Sequence, residues 1–184
     1  GSWRTYTTAN GLISNRVRAI TQSRDRRSIW FATLNGVSRL TIGADGGESW
    51  QSFDATSGLL NNNVRAVLAA SDGSVWFGTA EGISILAVHT GGANVWSQMT
   101  VKDGLPPGQV TALLQDSNRT IWAGTMAGVA RYDGQRWSQV PPANGMTLTR
   151  INAMLQDREG DLWFATQDNG VLRRSHVDES WQQY

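Results

Sequence analysis

A short aromatic pentad, repeated four times, constrains the fold of this chain more than any other feature. Each copy consists of an aliphatic residue, Trp, usually Phe, a small residue and Thr, and the copies occupy residues 29–33, 75–79, 121–125 and 162–166. Apolar side chains on both faces of an extended segment are typical of a strand packed between two other sheets. Four copies in one chain indicate a repeat architecture, in which each unit buries its apolar face against its neighbours.

All nine tryptophans fall at repeat positions, in two alternating series. Besides Trp3, we expect every member to belong to the packed core of the repeats: Trp30, Trp76, Trp122 and Trp163 in the pentads, and Trp50, Trp96, Trp137 and Trp181 between them. From the second series to the next pentad Trp the steps are 27, 26, 26 and 26 residues, but from the pentad Trp onward they are 20, 20, 15 and 18. One half of the unit therefore has a fixed length, and insertions collect in a surface connection of the other half.

Each unit contains four apolar segments separated by turn signals, which predicts four antiparallel strands. Units of about 45 residues with four strands are typical of β-propeller blades. We therefore predict an all-β propeller. Its four blades occupy approximately residues 17–53, 64–99, 110–140 and 151–184, and residues 3–6 form an extra outer strand.

A longer pattern combines Gly-Leu, Asn-x-Val-x-Ala, Asp-x-x-Gly, Ile-Trp-Phe-Gly-Thr and Gly-Val-x-Arg-Leu. It is clearest in residues 62–86 and 104–132, nearly as clear in residues 151–174, and irregular at residues 24–28. This pattern resembles the two-component regulator propeller repeats, which occur in the extracytoplasmic sensor halves of bacterial hybrid histidine kinases. The resemblance covers almost the entire chain. It implies a ligand-sensing or scaffolding role in a periplasmic or extracytoplasmic sensor region, and it transfers no catalytic residues.

That family usually has more than four blades, so the resemblance implies an excised piece or an engineered array. An open half-ring would expose large apolar faces on its first and last blades, which favours self-association. We expect two chains to close an eight-bladed ring as a homodimer, and a closed four-bladed monomer is the alternative. Residues 3–6 and 181–184 are both candidates for the last outer-strand position, so we expect one of them to be displaced or used elsewhere.

Two sets of polar residues near the start of the inner strands are candidate ligand-binding positions. In a ring they form two collars around the mouth of the axial channel, where propellers typically bind ligands. The first collar is Arg16, Asn63, Gln109 and Arg150, and the second is Arg18, Arg65, Thr111 and Asn152. Their Arg and amide groups suit a small anionic or sugar ligand, although strands that border a water-filled channel need polar side chains in any case.

The remaining polar residues predict no catalytic group, metal site or cofactor. Asp72, Asp116 and Asp157 have no metal-loop spacing and suit turns. His89 and His176 lie in the variable connections and are expected at the surface. The sequence contains no P-loop, dinucleotide fingerprint or nucleophile elbow, so we expect a non-enzymatic module. The alternative is a propeller lyase or hydrolase acting at the channel mouth, since the streptogramin lyases have a similar aromatic repeat.

Charge and hydropathy exclude several classes of partner. With a net charge of +1, 40% hydrophobic and 17% charged residues, the chain is globular in composition and is not attracted to nucleic acid or anionic membranes. No apolar run is long enough to span a bilayer, and no signal peptide is present. The absence of Cys excludes disulfides and thiolate metal sites.

Overall fold

The computed structural model describes residues 3–88, 94–141 and 145–184. These residues form four antiparallel sheets of four strands each, which confirms the predicted all-β blades. Within each sheet the strands are adjacent in chain order, so every blade is a simple meander. We number the blades one to four along the chain.

The strand limits are as follows. Blade one contains β1 (Val17–Gln22), β2 (Ser28–Thr33), β3 (Gly36–Ile42) and β4 (Glu48–Phe53). Blade two contains β5 (Val64–Ala69), β6 (Val75–Thr79), β7 (Ile83–Val88) and β8 (Asn94–Met99). Blade three contains β9 (Val110–Gln115), β10 (Ile121–Thr125), β11 (Val129–Tyr132) and β12 (Trp137–Val140). Blade four contains β13 (Ile151–Gln156), β14 (Leu162–Thr166), β15 (Val171–Arg174) and β16 (Trp181–Gln183). Short 3₁₀ helices lie at Thr8–Asn10, Ala55–Ser57 and Val101–Asp103.

A hydrophobic cluster lies between each pair of neighbouring blades. The pentad Trp of one blade packs against the next blade: ring centroids are 5.6 Å apart for Trp30 and Phe77, and 6.1 Å apart for Trp122 and Phe164. Burying a Trp side chain removes about 150–250 Å² from water. A single blade cannot achieve this alone, because half of the contacts belong to its neighbour.

The tryptophans of the outer strands lie at the rim, and those of blades two, three and four pack into these clusters. Trp137 and Trp181 are buried, and Trp50 and Trp96 are half-buried. The loop that leads into blade two approaches Trp96 through Gly58, whose φ is 122°. A side chain at Gly58 would place its Cβ 2.5 Å from the Trp96 ring. Glycine is therefore required there for both the positive φ and the close approach.

The Thr of each pentad fixes the turn that follows the second strand. Its side-chain hydroxyl donates to a Gly carbonyl at 2.8 to 3.1 Å, and the four pairs are Thr33–Gly36, Thr79–Gly82, Thr125–Gly128 and Thr166–Gly170. The same oxygen accepts a backbone N–H of the turn. These threonines therefore stabilise turns and are not placed as nucleophiles.

The four blades do not close on one another. The inner strands β1, β5, β9 and β13 pack side by side in that order. At the two ends of the row, Ile20 and Leu155 are each 61% exposed. The alternative of a closed four-bladed monomer is therefore wrong for this structure. The packed clusters fix the rotation from one blade to the next, and the rotations between four blades do not bring the ends together.

Residues 3–6 form no strand, which differs from the extra outer strand predicted there. A strand in this segment would need the third strand of another blade as its partner, because β4 already occupies the outer edge of blade one. The segment lies instead against β4. The Tyr6 ring packs edge-on to Trp50 at 5.4 Å, and Arg4 and the Tyr6 hydroxyl both donate to Glu48.

The turns after the inner strands also support the pentad tryptophans. Asp116 accepts two backbone N–H groups of its own turn through Oδ1, and its Oδ2 accepts the Trp122 indole N–H at 2.8 Å. Asp157 accepts the Trp163 indole in the same way at 2.6 Å. In blade one the irregular turn supplies no such acceptor, and the buried Nε1 of Trp30 has no partner among the described residues.

We expect Asp116→Asn to lower the free energy of unfolding by about 1–3 kcal/mol, because the new amide would place a donor against the buried indole donor of Trp122. Urea unfolding measures this change. Asp25→Asn is the matched control, since both hydrogen bonds of Asp25 end on Oδ1, which the amide keeps. Equal losses in the two variants would contradict a structural role for the indole bond.

Candidate functional site

The first collar lies on one face of the array. The backbone carbonyl of each of its residues accepts the N–H of the residue that follows a pentad, and the pairs are Arg16–Leu34, Asn63–Ala80, Gln109–Met126 and Arg150–Gln167. The distances are 2.9 to 3.2 Å. This collar therefore shares its face with the turns after the second strands.

A β-bulge occurs at the second collar position of every inner strand. The pairing register shifts by one residue at Arg18, Arg65, Thr111 and Asn152. A bulge leaves its residue unpaired in the ladder and re-aims the side chain, and bulges are common beside functional sites. The sequence gives no sign of these bulges, because no Gly or Pro marks the four positions.

Thr111 has a structural role that the sequence does not reveal. Its hydroxyl donates to the Gly124 carbonyl at 3.2 Å within blade three and also to the Ile151 carbonyl of blade four. The bond to Ile151 ties the neighbouring inner strands β9 and β13 together. Of the eight collar side chains, this one is committed to packing between blades.

Arg65 and Asn63 have unused hydrogen-bonding capacity. The Nε of Arg65 and the Oδ1 of Asn63 are both buried, and neither has a partner among the described residues. Buried polar atoms without partners are costly, and in native structures they often mark a binding position or a bound water. Within the collars, these two atoms are the strongest indication of a ligand.

The other collar residues are mostly exposed. Arg16, Arg18 and Asn152 are exposed, and Gln109 is half-buried. Arg150 forms an ion pair of 3.4 Å with Asp168, and about half of each side chain is exposed. Such an exposed pair contributes little to stability and leaves Arg150 available to a ligand.

A cavity of about 440 Å³ lies away from the collars. It lies on the opposite face, where the turns 116–120 and 156–160 of blades three and four meet the connection before β16. Arg131, Arg174 and His176 contribute to the lining of the cavity.

A hydrogen-bonded cluster around one buried carboxylate lies beside this cavity. Asp161 is only 3% exposed; it accepts the backbone N–H of His176 at 2.8 Å, contacts the His176 Nδ1 at 3.0 Å and accepts the Arg173 Nε–H at 2.8 Å. The backbone and imidazole of His176, together with the Arg173 guanidinium, hold the pKa of the Asp161 carboxyl far below its usual value of 3.8. Asp161 is therefore a carboxylate throughout the physiological range.

The sequence contained a signal for this cluster. The residue before the pentad is Ser28, Ser74 or Thr120 in the first three blades but Asp161 in the fourth. In blade one the hydroxyl of Ser28 accepts the Arg39 Nε–H at 2.9 Å. The carboxylate of blade four keeps the equivalent bond to an Arg and adds His176, which sequence reasoning placed at the surface without a partner.

The cluster has chemical capacity of its own. A hydrogen bond at Nδ1 orients an imidazole and sets its tautomer, which leaves Nε2 for proton exchange or hydrogen bonding. His176 Nε2 has no partner among the described residues, and His176 lines the cavity. Arg174, also in the lining, is paired with Glu179 at 2.6 Å. The predicted surface residue His89 lies outside the described residues.

In residues 3–88, 94–141 and 145–184, no group of three or more His, Asp or Glu side chains is arranged to hold a metal ion. The helices within the same ranges are all too short or too polar to cross a bilayer.

Comparison with known families identifies the repeat. Residues 58–81, 104–127 and 145–168 match the family model described as two component regulator propeller. The chain contains two-component regulator propeller repeats. The three matches cover the loop, inner strand and pentad of blades two, three and four. No curated protein matches the sequence.

Solved structures share the fold at low sequence identity. The extracellular domain of a hybrid two-component system from B. thetaiotaomicron aligns with a TM-score of 0.76 and 20% identity over 91% of this chain and 23% of that one. Virginiamycin B lyase from Staphylococcus aureus aligns with a TM-score of 0.63 and 20% identity, over 92% of this chain and 55% of the lyase. PorZ, a surface component of the type-IX secretion system of Porphyromonas gingivalis, aligns with a TM-score of 0.64 and 16% identity, over 92% of this chain and 27% of PorZ. This chain thus spans between 23% and 55% of the length of these chains.

The depressed pKa of Asp161 predicts a pH dependence of stability. Because the folded-state pKa lies below the unfolded one, the carboxylate stabilises the fold above the usual carboxyl pKa, and this contribution is lost as the pH falls toward the folded value. We expect wild type to be more stable than Asp161→Asn at neutral pH, and the difference to shrink below about pH 4. Thermal unfolding between pH 7 and pH 2 measures it. The exposed Asp168→Asn is the control, and a difference for Asp161→Asn that stays constant with pH would contradict the argument.

Proposed function

We propose that this chain is a non-enzymatic propeller module of sensor type that completes its ring by binding a second copy of itself. The observation that carries the proposal is the presence of two unpartnered end faces, one on blade one and one on blade four. Each face has one half of a contact that the chain makes three times within itself.

The inner strands show this first. Ile20 occupies the position of Val67, Leu113 and Met154, which each pack against the preceding blade and are half-buried. Leu155 occupies the position of Leu68 and Leu114, which pack against the following blade. Only the two end residues are left at 61% exposure. Their exposure follows from the missing neighbours rather than from a polar environment.

The pentad strands show the same pattern. Trp30, Trp76 and Trp122 are buried against a following blade, whereas Trp163 is half-buried because no blade follows it. Phe31 is half-buried for the opposite reason, because no blade precedes β2. A second copy placed with its blade one after blade four would pair Trp163 with Phe31, as Trp30 pairs with Phe77 at 5.6 Å.

Two chains joined at both ends would give an eight-bladed ring with closed symmetry. The N-terminal segment must adjust to this arrangement. Tyr6 covers Trp50 as Phe53 covers Trp96, with ring centroids 5.4 and 5.7 Å apart and both pairs edge-on. At a junction, Tyr184 of the second copy would compete with Tyr6 for Trp50. One of the two outer segments must therefore move when the ring forms.

Closure of the ring would also complete the collars. Eight inner strands would surround one channel, and Arg16, Arg18, Arg65 and Arg150 of both copies would face a small anionic or sugar ligand. Buried Arg65 Nε and Asn63 Oδ1, both without partners, support this location. The extracytoplasmic placement that we propose for the parent protein is supported by the extracellular domain that shares the fold.

A second candidate function is a propeller enzyme, a lyase or hydrolase. Two observations favour it: the Asp161–His176 pair beside a cavity of about 440 Å³, and the shared fold of a lyase. The pair lies on the face opposite the collars, however, so it does not complete an acid/base set at the channel mouth. Turnover of a bound compound that is lost in His176→Ala would support this second function.

Leu155→Glu tests the self-association. A carboxylate at the junction would remove apolar burial and would have to be desolvated, so we expect the dissociation constant of the dimer to rise at least about tenfold. Analytical ultracentrifugation of the 184-residue chain measures it. The control is Val101→Glu, because Val101 is 57% exposed but lies in a loop helix away from both end faces.

A wild-type chain that remains monomeric at all concentrations, with four ordered blades, would contradict the two-chain ring. Further blades of a longer polypeptide would then be the remaining candidates to cover the end faces.

Arg65→Ala tests the collar. We expect a compound found in a thermal-shift screen of sugars, nucleotides and organic anions to raise the Tm of wild type but not of this variant, because a charge-assisted hydrogen bond is lost. Arg136→Ala is the control, since Arg136 is exposed in the connection on the opposite face. A shift that survives in Arg65→Ala would place the ligand elsewhere, and a screen without hits would leave assembly as the only proposed role.

A further inference from the structure

A glutamine at the end of an inner strand links neighbouring blades. Gln115, the last residue of β9, accepts the backbone N–H of Ser71 in blade two through Oε1 at 2.7 Å. Gln156, the last residue of β13, accepts the backbone N–H of Ser117 in blade three at the same distance. We call this arrangement the glutamine clasp. It joins each strand to the turn of the preceding blade.

The other end of the same amide orients the clasp. Gln115 Nε2 donates to the Arg119 carbonyl at 3.3 Å, and Gln156 Nε2 donates to the Gly160 carbonyl at 3.0 Å. Each glutamine is thus held by its own turn while its Oε1 reaches the neighbouring blade. The side chain is preorganised, so little rotamer entropy is lost when the bond between blades forms.

Blade one has half of a clasp. Gln22 ends β1, and its Nε2 donates to the Arg26 carbonyl at 3.3 Å, as in blades three and four. Its Oε1 has no partner among the described residues, and the side chain is exposed. The acceptor is therefore oriented toward the position that a preceding blade would occupy.

Blade four has the other half. In blades two and three, the residues before Ser71 and Ser117 each donate a backbone N–H that closes the turn. Asp157 donates in the same way to the Asp161 carbonyl, at 3.0 Å. Arg158 follows Asp157 and therefore matches Ser71 and Ser117. Its backbone N–H has no partner within the described residues.

We propose that Gln22 of one chain accepts the Arg158 backbone N–H of the second copy, which makes a glutamine clasp at each junction of the ring. This inference rests on the self-association proposed above and specifies its geometry. Only head-to-tail association brings the acceptor and the donor together, because head-to-head association would oppose two Gln22 side chains. In this arrangement the apolar end faces supply the buried surface area, and the clasp sets the relative direction and register of the two chains.

The donor side can be removed without removing the turn. Gly160 N–H donates to the Asp157 carbonyl at 3.2 Å, so Arg158 is the second residue of a β-turn. Proline is favoured at this position and has no N–H. Arg158→Pro therefore deletes the donor, and Arg158→Ala is the matched control because it removes the guanidinium and keeps the N–H.

The acceptor side has its own pair of variants. Gln22→Leu keeps the approximate shape of the side chain and deletes both hydrogen bonds of the amide. Gln51→Leu is the control, because Gln51 is exposed in the outer strand of the same blade.

Sedimentation equilibrium of the full chain measures the dissociation constant of the dimer. We expect Gln22→Leu and Arg158→Pro each to raise the dissociation constant about fivefold for each junction, and about 25-fold for a ring with two junctions. The two controls should stay within about twofold of wild type. The dimer of the double variant should be little weaker than that of either single variant, because the two substitutions remove the same hydrogen bond.

Amide hydrogen exchange supplies a readout that a general loss of stability would not reproduce. We expect the Arg158 N–H to be protected in associated wild type and unprotected in Gln22→Leu, while Ser117 N–H, held by Gln156, stays protected in both. Dimers of Gln22→Leu and Arg158→Pro as tight as those of wild type would overturn the clasp and leave the self-association intact. A monomeric wild type would overturn both proposals.

Discussion

The contact between the pentad Trp of one blade and the apolar strand of the next is the interaction on which the rest of this structure depends. It buries the largest side chains of the chain, and each contact needs residues from two blades. A blade is therefore not an independent unit of stability. The array has three complete contacts and two incomplete ones, and the exposed Ile20 and Leu155 mark the incomplete ones. The self-association proposed above would follow from the same physics that forms the core.

This commitment of the strands to packing leaves chemistry to the positions around them. The residue before each pentad shows how such a position can change. Ser28 supports an Arg of β3 through a neutral hydroxyl, whereas Asp161 supports Arg173 and His176 through a buried carboxylate. The strand pairing is the same in both blades, so the change from Ser to Asp, together with His176 in the connection that follows, creates a local cluster without altering the fold. Function in this architecture can therefore differ from blade to blade while the frame stays constant.

The sequence predicted the blades because their determinants are local and repeated: apolar pentads, turn residues and constant spacing. It did not predict the β-bulges at Arg18, Arg65, Thr111 and Asn152, because a bulge depends on how two strands settle against a neighbouring blade. The hydrogen bond from Thr111 to Ile151 crosses between blades and has no signal in either strand. Asp161, the partner of His176, lies 15 residues before it in the sequence. The local signal for this contact is that Asp161 replaces the Ser or Thr found before the other three pentads. Residues 3–6 have the sequence of an outer strand but no third strand with which to pair.

Apolar end faces and polar clasps contribute differently to assembly. Hydrophobic burial is nondirectional, so in the proposed ring Ile20, Phe31, Leu155 and Trp163 would favour association without fixing how the chains align. A hydrogen bond between preorganised groups is weaker but directional, and it is lost when the register slips. Blade two has Ala69 where the other inner strands have Gln, and its junction with blade one is held in register by the continuous chain. A junction between two copies would have no covalent connection. Its two faces would therefore lack the high effective concentration that a continuous chain provides. In the proposed ring, the Oε1 of Gln22, which has no partner among the described residues, would therefore lie where a directional contact has the greatest effect on the alignment of the two chains.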